Sequence, residues 1–310
     1  MPASVLVFGG IVSVQVGAGL AARLFAQLGP AGVTGLRLWW SALIVAVIGG
    51  RALGRALRAV VSDRAWHDLA VAVAFGVVLG IMNFSIYQSF ARIPLGVAVT
   101  IEFLGPLAVA VASSRRLLDI LWVAMAAAGV LLLTGGGTRL ASTAGRIAGP
   151  VLGLSTQAAG IAFGLVAAAC WAAYILLSRA TGRRFSGASG LVIAMVVAAV
   201  LVTGPAIATA GPALLHPRLL AEGLAIGLLS SVIPYRLELE ALRRVRAGVF
   251  GIWMSLEPAV AALVGLLVLS ESLLARQWLA IVLVILACAG AARDSAPKQL
   301  HPDNLPPPPA

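Results

Sequence analysis

Arg92-Ile93-Pro94-Leu95-Gly96-Val97-Ala98-Val99-Thr100-Ile101-Glu102-Phe103-Leu104-Gly105-Pro106 holds one acid inside an apolar run that continues to Ala112. A bilayer-spanning helix needs about 20 mostly apolar residues, and this run supplies them at the cost of one buried carboxyl. Displacing the chain by 152 residues lays Arg92-Ile93-Pro94-Leu95-Gly96-Val97 over Arg244-Val245-Arg246-Ala247-Gly248-Val249, and Leu104-Gly105-Pro106 over Leu256-Glu257-Pro258. A displacement of 156 lays Gln15 over Trp171 and Arg23 over Arg179, extending the match to the first helix of each half. The two halves therefore read as homologous. With five spans each, an odd number, they take opposite orientations, which is the inverted-repeat architecture of secondary transporters.

Composition agrees with ten spans. Of 310 residues 61% are hydrophobic, more than a soluble domain of this length can hide in one core. Ten helices would use roughly 200 positions, which excludes a soluble enzyme with a single anchor. The apolar runs predict an all-α polytopic membrane protein with helices near 5–22, 33–48, 69–90, 95–112, 117–133, 158–177, 190–210, 219–235, 247–269 and 273–292. The first run has no basic n-region, so it reads as span one rather than a signal peptide. The first repeat is expected over residues 1–140 and the second over 141–292, with 293–310 a disordered cytoplasmic tail.

The net charge of +11 sits on arginines placed between apolar runs, as membrane-flanking anchors rather than a nucleic-acid footprint. With the N-terminus inside, Arg51, Arg55, Arg58, Arg64, Arg115, Arg116, Arg179, Arg183, Arg184, Arg236, Arg243, Arg244 and Arg246 fall on inside loops. Arg23, Arg92, Arg139, Arg146, Arg218 and Arg276 fall outside. This asymmetry predicts both termini in the cytoplasm. Cys170 and Cys288 lie in apolar segments, and His67, His216 and His301 lie in loops or the tail. No cofactor, metal site or enzymatic cluster is expected from them.

Three ionisable groups fall inside the predicted spans, where each costs ~2.5 to 3.5 kcal/mol on insertion scales. They are Arg37, Glu102 and Glu257. Each glutamate precedes a proline, which frees a carbonyl one turn upstream and weakens the helix there. One reading has a glutamate bind a substrate ammonium or carry an exchanged proton while Arg37 holds a substrate carboxylate. The other has Arg37 and a glutamate pair to stabilise the bundle. Asn83, Tyr87 and Gln88, with Gln15, Trp171 and Tyr174, are candidates to line the same cavity, although polar helix contacts and interfacial aromatics account for most such residues. Tyr235, Arg236, Glu238 and Glu240, after Pro234, read as a solvated boundary or gate charge pair. Gly17, Gly19, Gly160 and Gly164 read as close-packing positions.

These residues resemble a known family. The Pro94-Leu95-Gly96-Val97 entry with Pro106, and Glu257-Pro258 followed by Leu269-Ser270-Glu271-Ser272-Leu273, are similar to the EamA repeats of the drug/metabolite transporter superfamily. Gly32-Val33-Thr34-Gly35-Leu36-Arg37-Leu38, Glu102 to Ala110 with Ser113-Ser114-Arg115-Arg116, and Met254 to Ala259 resemble its threonine/homoserine exporter branch. The superfamily often has Gly-Glu where this chain has Ser270-Glu271. The resemblance implies ten helices in the inner membrane, with the lipid bilayer, a small-molecule substrate and protons as partners. It further implies efflux of small amino acids by proton antiport; export of drugs or other metabolites is the alternative.

Overall fold

The computed structural model describes residues 1–62, 66–112, 118–134, 155–185 and 189–294. Among these residues the regular structure is entirely helical. Nine stretches are long and apolar enough to cross a membrane, and a tenth helix is apolar over the shorter Ile120–Leu133. The expected boundary between repeats and the tail beyond Asp294 lie outside the described residues.

Spans one to three are α1 (Ala3–Arg23), α2 (Phe25–Ser62) and α3 (Trp66–Phe90). The second starts earlier than the apolar run, because Gly29 at φ 64°, ψ 165° kinks α2 and Pro30 restarts the helix beyond it. Span four is two half-helices, α4 (Leu95–Glu102) and α5 (Leu104–Ala112), and span five is α6 (Leu118–Thr134). Spans six and seven are α7 (Thr156–Arg184) and α8 (Ser189–Ala210). Span eight joins α9 (Pro217–Gly227) to α10 (Ile233–Leu242) through a π-helical turn, Leu228–Val232. Span nine is again divided, into α11 (Ala247–Met254) and α12 (Glu257–Leu269), and span ten is α13 (Ala275–Asp294).

The breaks in spans four and nine have one cause. Pro106 and Pro258 lack the N–H that would bond the carbonyls of Glu102 and Met254, so the helix ends one turn before each proline. The half-helices α4 and α11 are both eight residues long, and the displacement of 152 found in the sequence carries one onto the other at both ends. Packing repeats the pattern. α1 packs on α10 and α12 as α7 packs on α3 and α5, and α2 meets α9 as α8 meets α3. The remaining main pairs, α2 with α8, α4 with α12 and α6 with α13, join corresponding spans of the two halves.

Close approach at the centre depends on missing side chains. A Cβ at Gly96 would lie 2.7 Å from the Ala262 Cα, and one at Gly105 would collide with the Ala168 carbonyl. At one end of the bundle the halves are clasped. Arg23 donates from Nη2 and Nε to the Val268 carbonyl at 2.6 and 3.1 Å, at the C-terminal end of α12. Glu271 accepts from the Leu95 N–H at 2.9 Å, at the start of α4. Both charges complement the helix dipole they face.

Candidate functional site

A cavity of about 230 Å³ lies between the two halves. Eight of the nine residues anticipated from sequence line it: Gln15 from α1, Arg37 from α2, Asn83 and Tyr87 from α3, Glu102 from α4, Trp171 and Tyr174 from α7, and Glu257 from α12. Gln15, Arg37, Glu102 and Glu257 each lie near the middle of their spans. The broken helices bring the two acids there: Glu102 is the last residue of α4 and Glu257 the first of α12.

Arg37 is held by neutral groups. Its Nη1 donates to Asn83 Oδ1 at 2.7 Å, and its Nη2 points to the Ser230 carbonyl at 3.5 Å. That carbonyl is available because Pro234, four residues on, offers it no N–H, and the helix is π-wound around it. Asn83 is itself oriented by donating from Nδ2 to the Leu79 carbonyl at 2.8 Å. The guanidinium lies 5.4 Å from the centre of the Tyr87 ring, a cation–π distance. Neither hydrogen-bonded partner is a carboxylate, so the expected alternative of a close structural Arg37–Glu pair is not formed among the described residues.

Glu257 is only 6% exposed. Its Oε1 accepts from Gln15 Nε2 at 2.8 Å, while its Oε2 has no protein partner. Gln15 Oε1, Tyr87 Oη, Ser230 Oγ and Arg37 Nε are likewise buried without a partner, and all belong to residues lining this cavity. Buried unsatisfied polar groups cost about 1–3 kcal/mol each. Five such atoms belong to residues that line one space, and unpaired buried polar groups mark a place where polar partners are received. Phe103 and Trp171 meet edge-on at a centroid distance of 5.0 Å beside it.

Two expectations are corrected. Span eight does not end at residue 235 but continues to Leu242, so Tyr235 and Glu238 line the cavity rather than a solvated boundary. Glu240, two residues on, does form the exposed charge pair, with Arg243 and Arg244. Gln88 turns away from the cavity, and its Oε1 accepts from Arg92 Nη1 at 2.6 Å. Ser230 and Glu238 are cavity residues the sequence reading missed. The signal was Pro234 inside an apolar run, which marks a broken span rather than its end. Glu102, Glu238 and Glu257 all line the cavity, which thus gathers three acids around one guanidinium. No group of three or more metal-ligating side chains occurs among the described residues.

The profile of the EamA-like transporter family matches residues 158–293. The threonine/homoserine exporter RhtA of Salmonella typhimurium strain LT2 is 37% identical over 279 residues, covering 90% of this chain and 87% of that protein. The exporter of the same name from Escherichia coli strain K12 is 37% identical over 281 residues, covering 91% and 88%. A solved crystal structure of a protein 17% identical superposes with a TM-score of 0.60 over 95% of this chain and 97% of that one, a likeness of fold.

Proposed function

Because the chain belongs to the EamA-like transporter family of the drug/metabolite transporter superfamily, on its threonine/homoserine exporter branch, we propose that this multi-pass membrane protein exports small α-amino acids of the threonine and homoserine type. The observation that carries the reading is one guanidinium and several carboxylates, that of Glu257 buried, in a single mid-span cavity. A zwitterion leaving water needs a partner of each sign. Arg37, with only neutral hydrogen-bond partners, offers a fork matched to a carboxylate. The free oxygen of Glu257 and the Glu102 carboxylate receive the ammonium. Tyr87 Oη and Ser230 Oγ remain for a substrate hydroxyl. The volume of about 230 Å³ around these anchors accommodates a small amino acid.

Coupling follows from competition at the acids. A proton and the substrate ammonium neutralise the same carboxylate, so loading one releases the other, and outward amino-acid flux is exchanged for protons. Alternating access uses the two repeats in inverted orientation, hinged at the breaks beside Glu102 and Glu257, with the protein in the cytoplasmic membrane and both termini inside. Support for the repeat comes from the matched half-helices and the exchange-invariant packing. The test is labelled threonine and homoserine flux in proteoliposomes with and without a pH gradient. Gradient-dependent accumulation lost in Glu257→Gln and in Arg37→Gln is expected. Amino-acid flux that survives Arg37→Gln would remove the carboxylate role of Arg37.

A further inference from the structure

A second cavity, of about 330 Å³, adjoins the first and shares Trp171, Glu238 and Met254 with it. Beyond this shared neck its wall is apolar, formed mainly by Phe103, Leu107, Ala110, Ile175 and Phe250. Two polar side chains border it, and both are turned to backbone: Ser255 Oγ donates to the Ile252 carbonyl at 2.6 Å, and Cys288 Sγ lies 3.8 Å from the Phe103 carbonyl. The chamber therefore offers a zwitterion nothing. Along this wall it offers an apolar chain partial removal from water and dispersion contacts.

We propose that this chamber is a side-chain subsite, and that the protein also takes α-amino acids with large apolar side chains, of the leucine or phenylalanine class. Resting on the function proposed above, the arrangement keeps the ammonium and carboxylate at the glutamates and Arg37, while the side chain passes the neck between Trp171, Glu238 and Met254. Polar anchors and apolar chamber then serve the two ends of one molecule. Threonine fills only the first cavity.

The test combines threonine counterflow in proteoliposomes with calorimetric titration of alanine, leucine and phenylalanine into the purified full-length protein. Phenylalanine is expected to bind and compete at least about ten-fold better than alanine, since each methylene placed in an apolar pocket strengthens binding several-fold. Ala110→Phe, and independently Ala292→Phe at another residue lining the chamber, should erase this preference and change the threonine KM less than about two-fold. Phenylalanine no better than alanine, beside intact threonine flux, overturns the subsite. So does an equal loss of threonine and phenylalanine in folded variants, which identifies the chamber as a common passage. Phenylalanine binding that the filling variants erase, with no threonine flux in any vesicle, leaves the subsite standing and removes the threonine assignment instead.

Discussion

Gln15 Nε2 is the hydrogen-bond donor that the Glu257 carboxylate has inside the protein. Replacing it by leucine leaves a buried carboxylate without that partner, and hydrogen bonds to charged groups are worth about 1.5–3 kcal/mol. Gln15→Leu should therefore raise the threonine KM roughly ten-fold or more, measured in vesicles beside a folding check on the purified variant. Glu238 and Glu240 offer a sharper contrast, two residues apart on α10. Glu238 faces the cavity, whereas Glu240 pairs with Arg243 and Arg244 at the exposed end. Glu238→Gln is expected to lower flux strongly, and Glu240→Gln to leave it within about two-fold, since exposed pairs contribute ~0–1 kcal/mol. Equal effects from the two would show that Glu238 acts through bundle packing alone. Arg37, Glu102 and Glu257 were legible as intramembrane charges because such charges are rare and costly. Glu238 was not, since its apolar surroundings are brought up by α1, α7 and α11 rather than by its neighbours in sequence.

Broken helices are the elements that make the site. The breaks in spans four and nine each place a glutamate at a helix end, with carbonyls that a continuous helix would occupy. Pro106→Ala returns an N–H to the Glu102 carbonyl and closes the break, and an interior proline costs about 3 kcal/mol relative to alanine. The variant should melt several degrees higher and turn over more slowly, with little change in KM. A higher melting temperature with unchanged turnover would remove the hinge role. The half-helix pair also shows where sequence reading stopped. Leu95 to Ala112 reads as one uninterrupted apolar run, and hydropathy reports burial in lipid without reporting whether the backbone bonds continue. Pro106 and Pro258 pointed to weakened helix, and the positions of the breaks came only with the fold.

At the scale of the whole molecule, the clasp of Arg23 on Val268 and Glu271 on Leu95 joins the halves at one end of the bundle. His216 lies at the same end and Gly182 at the other, if ten spans alternate. In a Cys170→Ser, Cys288→Ser background, a cysteine at His216 should react with an impermeant maleimide on intact cells, and one at Gly182 only after permeabilisation. The reverse pattern would invert the proposed orientation. The sequence by itself determined the all-helical membrane class, the number of spans within one, the 152-residue displacement and eight of the nine residues it offered for the cavity. These follow from local facts: a polar group in hydrocarbon is expensive wherever the chain goes, and an apolar run of sufficient length spans. Only the tertiary structure decided that Arg37 rests on Asn83 and a proline-freed carbonyl rather than on an acid, that Gln15 serves Glu257, and that Gln88 turns to Arg92. It also decided that an apolar chamber adjoins the polar one. Those outcomes depend on which helix faces meet across the halves, over separations of up to 242 residues, and local composition carries no information about that.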